Sequence, residues 1–179
     1  MPEPREESLK AAIRDVPDFP KPGILFRDIT PLLLDPLKRD AAVTALWTPF
    51  QDAGVQGIAG IESRGFIFGA CLAMRHQLPL ILIRKEGKLP SAVHREAYLL
   101  EYGEDAVEMH QDAVAEGRRI LLVDDLLATG GTAAAAVRLI QRAGGQLVGA
   151  SFLVELTGLQ GRKLLEGCRI HTVIRYEGA

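Results

Sequence analysis

The sequence predicts an α/β domain built on a mostly parallel sheet, and three observations carry that expectation. Short runs with no charged residue, Gly57 to Ile61 (GIAGI), Leu80 to Ile83 (LILI) and Ile120 to Val123 (ILLV), have the length of strands buried on both faces. Segments of helical spacing lie between them, at Phe66 to His76 and at Thr132 to Arg142. The second of these sets Ala133, Ala136, Val137 and Ile140 on one face and stops at Gly144 and Gly145, where a helix can end on a residue free to take positive φ.

Taken in order, Glu6 to Val16 carries Leu9, Ile13 and Val16 at helical spacing and predicts a first helix. The following VPDFPKPGILFRDITPLLLDP has too many prolines for a helix and predicts an irregular, ordered segment. Leu37 to Ala53 predicts a second helix, with Trp47 as a packing residue on its apolar face. The helix after GIAGI presents Phe66, Ala70 and Ala73 on one side. Further strands are expected at Ala97 to Tyr102 and Ala106 to His110, joined as a hairpin at GED, and at Gln146 to Val154 and Ile170 to Tyr176.

The totals narrow the classes of function. A chain of 179 residues suits one packed domain, and a formal net charge of -2 offers no global attraction for nucleic acid or an anionic membrane, so any basic site is local. No run approaches the ~20 apolar residues of a membrane span, and MPEPREESLK lacks a secretory pattern, which points to a cytoplasmic protein. Cys71 and Cys168 have no CxxC spacing and are expected to be buried free thiols. His76, His94, His110 and His171 show no metal-ligand spacing.

Ligands of an open parallel sheet bind beyond the carboxyl ends of its strands. If GIAGI, LILI and ILLV run parallel, the segments that follow them meet on one edge: ESRG (Glu62 to Gly65), RKEGKLP (Arg84 to Pro90) and DDLLATGGT (Asp124 to Thr132). In ATGGT, two glycines let backbone N–H groups point inward beside the hydroxyls of Thr129 and Thr132 and the positive end of a helix, a cradle for a phosphate monoester. It is neither a Walker loop nor a dinucleotide fingerprint, since GK[ST] and GxGxxG are both missing. Arg64 offers a bidentate fork to a second phosphate, and Arg84, Lys85 and Lys88 around Gly87 read as a mobile basic lid. Asp124 and Asp125 then constrain the ligand: beside a phosphate they need hydroxyls that donate to them or a shared divalent cation. A phosphorylated ribose carrying a diphosphate, with Mg²⁺, uses all of these groups together.

The segment ILLVDDLLATGGT resembles the signature of the type I phosphoribosyltransferases, most closely their adenine-specific branch. The resemblance extends, in the same order, through DFPKPGILFRDITPLL (Asp18 to Leu33), GIESRGFIFG (Gly60 to Gly69), IRKEGKLP (Ile83 to Pro90), LEYGEDAVEMH (Leu100 to His110) and LVELTGLQGRKLL (Leu153 to Leu165), which is nearly the whole chain. It implies a parallel sheet flanked by helices, with an N-terminal helix and base-binding hood over residues 1–35 and a mobile lid and hairpin over residues 84–110. The activity it implies is transfer of the 5-phosphoribosyl group from the 1-diphosphate (PRPP) to N9 of adenine, giving AMP and pyrophosphate with Mg²⁺, in a homodimer. Carried over, the resemblance sets Asp124 and Asp125 on the ribose hydroxyls and Ala128, Thr129, Gly130, Gly131 and Thr132 around the 5′-phosphate. Ser63, Arg64 and Gly65 face the diphosphate at a turn that often holds a cis peptide, and Arg84 and Lys88 reach it from the same or the neighbouring subunit. Phe26 and Leu126 sandwich the base, backbone groups near Leu25 and Arg27 read its edge, and Glu101 acts on its N7 with Tyr102 alongside. Glu62 stands where many relatives have Asp, and SAVHREAYLLEYG (Ser91 to Gly103) departs from the family at VHRE. Two other readings stand beside this one: transfer to another base such as hypoxanthine, guanine or xanthine, and a PRPP-sensing regulator without turnover, for which the chain lacks a nucleic-acid-binding module or basic face.

Overall fold

The computed structural model describes residues 6–99 and 103–178. Helix α1 (Glu6–Lys10) is followed by β1 (Arg14–Pro17), so the helix expected to reach Val16 is shorter by a turn and a half. Pro17 disfavours helical geometry at Val16, and the chain instead pairs antiparallel with β2 (Leu25–Asp28), Val16 opposite Phe26. Leu9 and Ile13 are buried all the same. The proline-rich segment is therefore more regular than expected: a two-stranded sheet, then α2 (Thr30–Leu34), preceded by Asp28, whose carboxylate accepts from the Thr30 N–H and hydroxyl. Asp35 caps α3 (Pro36–Trp47) by accepting from Leu37 and Lys38 N–H groups. That helix ends six residues before the expected Ala53, passing into a 3-10 turn at Thr48–Phe50 that contains Pro49.

From there the alternation follows the expected order: β3 (Gly57–Ile61), α4 (Gly65–His76), β4 (Leu80–Lys85), the hairpin β5 (Val93–Leu99) and β6 (Glu104–His110), β7 (Arg119–Leu127), α5 (Gly131–Arg142), β8 (Gln146–Leu156) and β9 (Ile170–Tyr176). They form a seven-stranded sheet in the order β5-β6-β4-β3-β7-β8-β9. The strands from β4 to β9 are mutually parallel, and β6 joins β4 antiparallel, bringing the hairpin to one edge. Helices α1, α3 and α4 cover one face with Leu46, Phe68 and Leu72 against Ile58, Leu121 and Val123. Helix α5 covers the other with Ala135, Ala136, Leu139 and Ile140 against Ala59, Leu122 and Phe152.

Three local expectations change. The buried face of α4 is Phe68, Gly69, Leu72 and Ala73, while Ala70 is exposed, because the sheet meets the helix about a quarter of a turn away from the expected side. Cys71 and Cys168 are free but only half-buried. Strand β7 does not end at Val123: it continues through Asp124 and Asp125 because β8 keeps the ladder going, with Asp124 opposite Phe152 and Leu127 opposite Glu155. The two acids are thus held by the sheet and not by the loop after it.

Candidate active site

The site lies beyond the carboxyl ends of β3, β4 and β7, where a cavity of about 550 Å³ is lined from one side by the loop and first turn of α5, residues 128–133. Gly130, with φ of 85°, turns the strand into the helix and caps it with no side-chain acceptor, so the amides of the first turn have no side-chain oxygen to bind and face the cavity with Thr129 and Thr132. A 12-residue helix aims its positive end at the same space.

Asp124 and Asp125 form the middle of the wall. Asp125 is 6% exposed, and its Oδ2 lies 2.8 Å from Arg64 Nε. Burial pushes both carboxyls up, Asp124 well above the ordinary value, and the like charge of Asp125 adds to the rise at Asp124. Arg64 pulls each of them back down. The Asp125 N–H donates to Asp124 Oδ1 at 2.8 Å, which turns that carboxylate along the strand. Gly65 makes this arrangement possible, because a Cβ there would stand 2.6 Å from Asp124 Oδ1 and 3.0 Å from the Val123 carbonyl oxygen. The Glu62–Ser63 peptide just before it is cis.

A second knot of charge sits across from the acids. Glu62 accepts from Arg84 Nε at 3.2 Å and from the Lys85 N–H at 3.1 Å, and it pairs with Lys88. Burial raises the Glu62 carboxyl, but these cations outweigh it and leave the group below its usual value. Lys85 lines the cavity, its ammonium bound to Tyr98 and Asp105 of the hairpin.

Next to the main cavity lies a recess of about 120 Å³, walled by Leu25, Phe26, Ile29, Leu126, Val154 and Leu156. Its lining is mostly apolar, with Arg27, Arg64 and Asp125 as the charged members, and the Arg64 guanidinium stands 5.3 Å from the Phe26 ring centre. The cavity and recess share Phe26, Arg64, Asp125 and Leu126, so one ligand can span both.

A phosphoribosyl transferase domain model matches residues 48–169. An adenine phosphoribosyltransferase from Thermosynechococcus vestitus is 55% identical over 94% of this chain and 99% of its own. The crystal structure of adenine phosphoribosyltransferase from Rhodothermus marinus superposes with a TM-score of 0.92 at 53% identity, covering 96% of this chain and 98% of that one. The chain belongs to the adenine phosphoribosyltransferase family. A structure from Saccharomyces cerevisiae, an adenine phosphoribosyltransferase in complex with an imino-altritol bisphosphate and adenine, has a TM-score of 0.89 at 36% identity over 94% of this chain and 97% of that one.

In this phosphoribosyltransferase the fold brings together most of the residues singled out in the sequence. Ser63, Arg64, Asp124, Asp125, Leu126 and Ala128 through Thr132 line the cavity, Leu25 and Arg27 line the recess, and Phe26 borders both. Gly65 is buried beneath Asp124 and does not line the cavity. Arg84 and Lys88 are drawn to Glu62 and stand outside the lining, whereas Lys85, the middle of the same basic run, is inside it. Glu101 and Tyr102 lie outside the described residues. In the sequence Glu62 stands out only as a replacement for the Asp of many relatives, and Lys85 only as one member of a basic run. No periodicity distinguishes the inward residue of RKEGKLP, because the direction of each side chain is set by where β4 leaves the sheet.

Proposed function

We propose that the chain transfers the 5-phosphoribosyl group of PRPP to N9 of adenine, releasing pyrophosphate and forming AMP, and that residues 1–179 act as one phosphoribosyltransferase domain. The observation that carries this reading is the chemistry gathered at one sheet edge: a glycine-rich turn at a helix N-terminus, two carboxylates, an arginine and an adjoining, mostly apolar recess. Such a set suits one ligand with a phosphate at one end and a base at the other. The 128–132 loop takes the 5′-phosphate, Asp124 and Asp125 accept from the ribose hydroxyls, and Ser63 and Arg64 hold the diphosphate. Phe26 and Leu126 clasp adenine, with Leu25 and Arg27 at its edge.

Breaking the bond from C1′ to the diphosphate builds positive charge on the ribose and negative charge on the leaving group. Arg64 sits between Asp125 and the recess, so it moves little to meet the diphosphate while the carboxylate it leaves is taken by a hydroxyl. Arg84 and Lys88 reach the same diphosphate by leaving Glu62, and closure of the lid over residues 84–110 keeps water from competing with adenine. By the resemblance, Glu101 acts on N7 of the base with Tyr102 alongside. The two adjacent carboxyls of Asp124 and Asp125 suit Mg²⁺ carried mainly by the diphosphate: they would hold it through the ribose hydroxyls, and the ion would supply neutralisation of the leaving group.

A homodimer fits the surface. Leu34, Leu37 and Met74 are each at least 80% exposed, and a groove lined by Pro36, Val43, Cys71 and Met74 together with Arg39, Asp40 and Arg75 lies beside them, a mixed face that a second copy would cover. Among the described residues no helix is long and apolar enough to cross a membrane, and we take the working compartment to be the cytoplasm. The deciding assay is AMP formation from adenine and PRPP with and without Mg²⁺, run beside hypoxanthine, guanine and xanthine. Turnover of adenine alone, dependent on Mg²⁺, is expected; turnover of another base without adenine would overturn the assignment. Sedimentation of the same sample should report the mass of two chains.

A further inference from the structure

The loop assigned to the 5′-phosphate packs against a second segment of the chain. It is backed by the 3-10 turn Gly161–Leu165, thirty residues downstream. Gly130 and Gly161 touch backbone to backbone: a Cβ on Gly130 would collide with the Gly161 carbonyl oxygen, and a Cβ on Gly161 would collide with the Ala128 carbonyl oxygen and stand 3.0 Å from the Gly130 nitrogen. No side chain larger than hydrogen fits on either side of this contact. Gln160 enters the turn in the left-handed region, φ 56°, which points Gly161 at the loop.

An ion pair between a half-buried arginine and a buried glutamate holds the turn. Arg162 forks onto Glu155, Nε to Oε1 at 2.6 Å and Nη2 to Oε2 at 2.9 Å, and its Nη2 lies 3.0 Å from the Thr172 hydroxyl, which donates to Glu155 at 2.9 Å. Burial raises the Glu155 carboxyl, but Arg162 and Thr172 outweigh it and hold the group ionised. Glu155 is 4% exposed and sits in the ladder directly opposite Leu127, the last residue of β7 before the loop. The pair thus ties the turn to the strand from which the loop departs. Leu165 closes the far end by entering the core beneath α5.

We infer that Gly161, clamped through Arg162 and Glu155, is a positioning residue for the reaction: it sets the Ala128–Gly130 backbone and hence the amides that meet the 5′-phosphate. It touches no substrate. The inference rests on the assignment of the 128–132 loop to that phosphate, and the test separates the two. KM for PRPP and adenine, inhibition by ribose 5-phosphate and by pyrophosphate, and thermal midpoint are measured for Gly161→Ala, Arg162→Lys and Thr132→Ala. In Gly161→Ala, a backbone shift of the order of 1 Å should raise KM for PRPP and Ki for ribose 5-phosphate by about tenfold or more, while KM for adenine and Ki for pyrophosphate stay within about twofold. Arg162→Lys keeps the charge, loses the fork and should show the same pattern at about threefold. It decides the matter if Gly161→Ala does not fold. A rise in all four constants together, or none in a folded variant, overturns the inference. If Thr132→Ala also leaves ribose 5-phosphate inhibition unchanged, the loop assignment itself has failed; if Thr132→Ala loses it and the Gly161 and Arg162 variants do not, only the positioning role has.

Discussion

The two ends of the cavity are built in opposite ways. At the end proposed for the phosphate a single stretch, residues 128–133, supplies one side of the cavity, with helix α5 attached to it. At the base end the recess is assembled from β2, the turn before α4, the end of β7 and the end of β8, four segments spread from Leu25 to Leu156. A local cradle is preorganised by its own backbone and needs only backing. An assembled recess depends on every element that carries one of its walls. The phosphate end should therefore respond to substitution through PRPP alone, and the base end through adenine and through packing.

Arg64 belongs to both ends, paired with Asp125 and close to the Phe26 ring, and its loss tests the comparison most severely. Arg64→Ala removes the cation nearest the developing charge, a contact typically worth ~3 kcal/mol, so turnover should fall about a hundredfold or more. Turnover near wild type would remove Arg64 from the chemistry.

Phe26→Ala isolates the base end. Its ring is half-buried and meets Phe19 edge-on at 5.1 Å, so truncation should raise KM for adenine by about tenfold and leave KM for PRPP within about twofold. A matching rise for PRPP would show that the two ends are not independent.

The smallest effect concerns stability. Asp124 has its pKa raised above the ordinary aspartate value of 3.8, so the folded state holds a proton there more tightly than the unfolded chain. The resulting loss of stability is absent below the ordinary value, grows as pH rises from there to the folded pKa, and is constant above it. Asp124→Asn keeps the Oδ1 that accepts from the Asp125 N–H and removes the penalty. It should stabilise the ligand-free protein by about 1 kcal/mol at pH 7, with the gain shrinking toward pH 4, and weaken PRPP binding. A thermal midpoint below that of the wild type at pH 7 would show that Asp124 is stabilised as an anion.

Legibility in the sequence follows the same division. GIAGI and Ile170–Tyr176 coincide with β3 and β9, and the hairpin and α5 lie within a few residues of expectation, because fully apolar runs and glycine stops report local geometry. The N-terminal segment was misjudged as irregular. Arg14–Pro17 has no strand pattern of its own and becomes one only because Leu25–Asp28 pairs with it. Asp124 and Asp125 read as loop for a related reason: acids end an apolar run in sequence, but β8 supplies a partner for the continued ladder.

By itself, then, the sequence determined the α/β class, the glycine-rich turn with two acids before it, and, through segments that resemble one family along nearly the whole chain, the reaction. These are encoded in contiguous residues whose backbone preferences act over a few positions. The tertiary structure alone decided that Lys85 and not Arg84 or Lys88 lines the cavity, that Glu62 holds those two cations, and that Gly161 lies behind the phosphate loop. Each depends on which strands are neighbours and where they leave the sheet, and that is fixed by long-range pairing and burial.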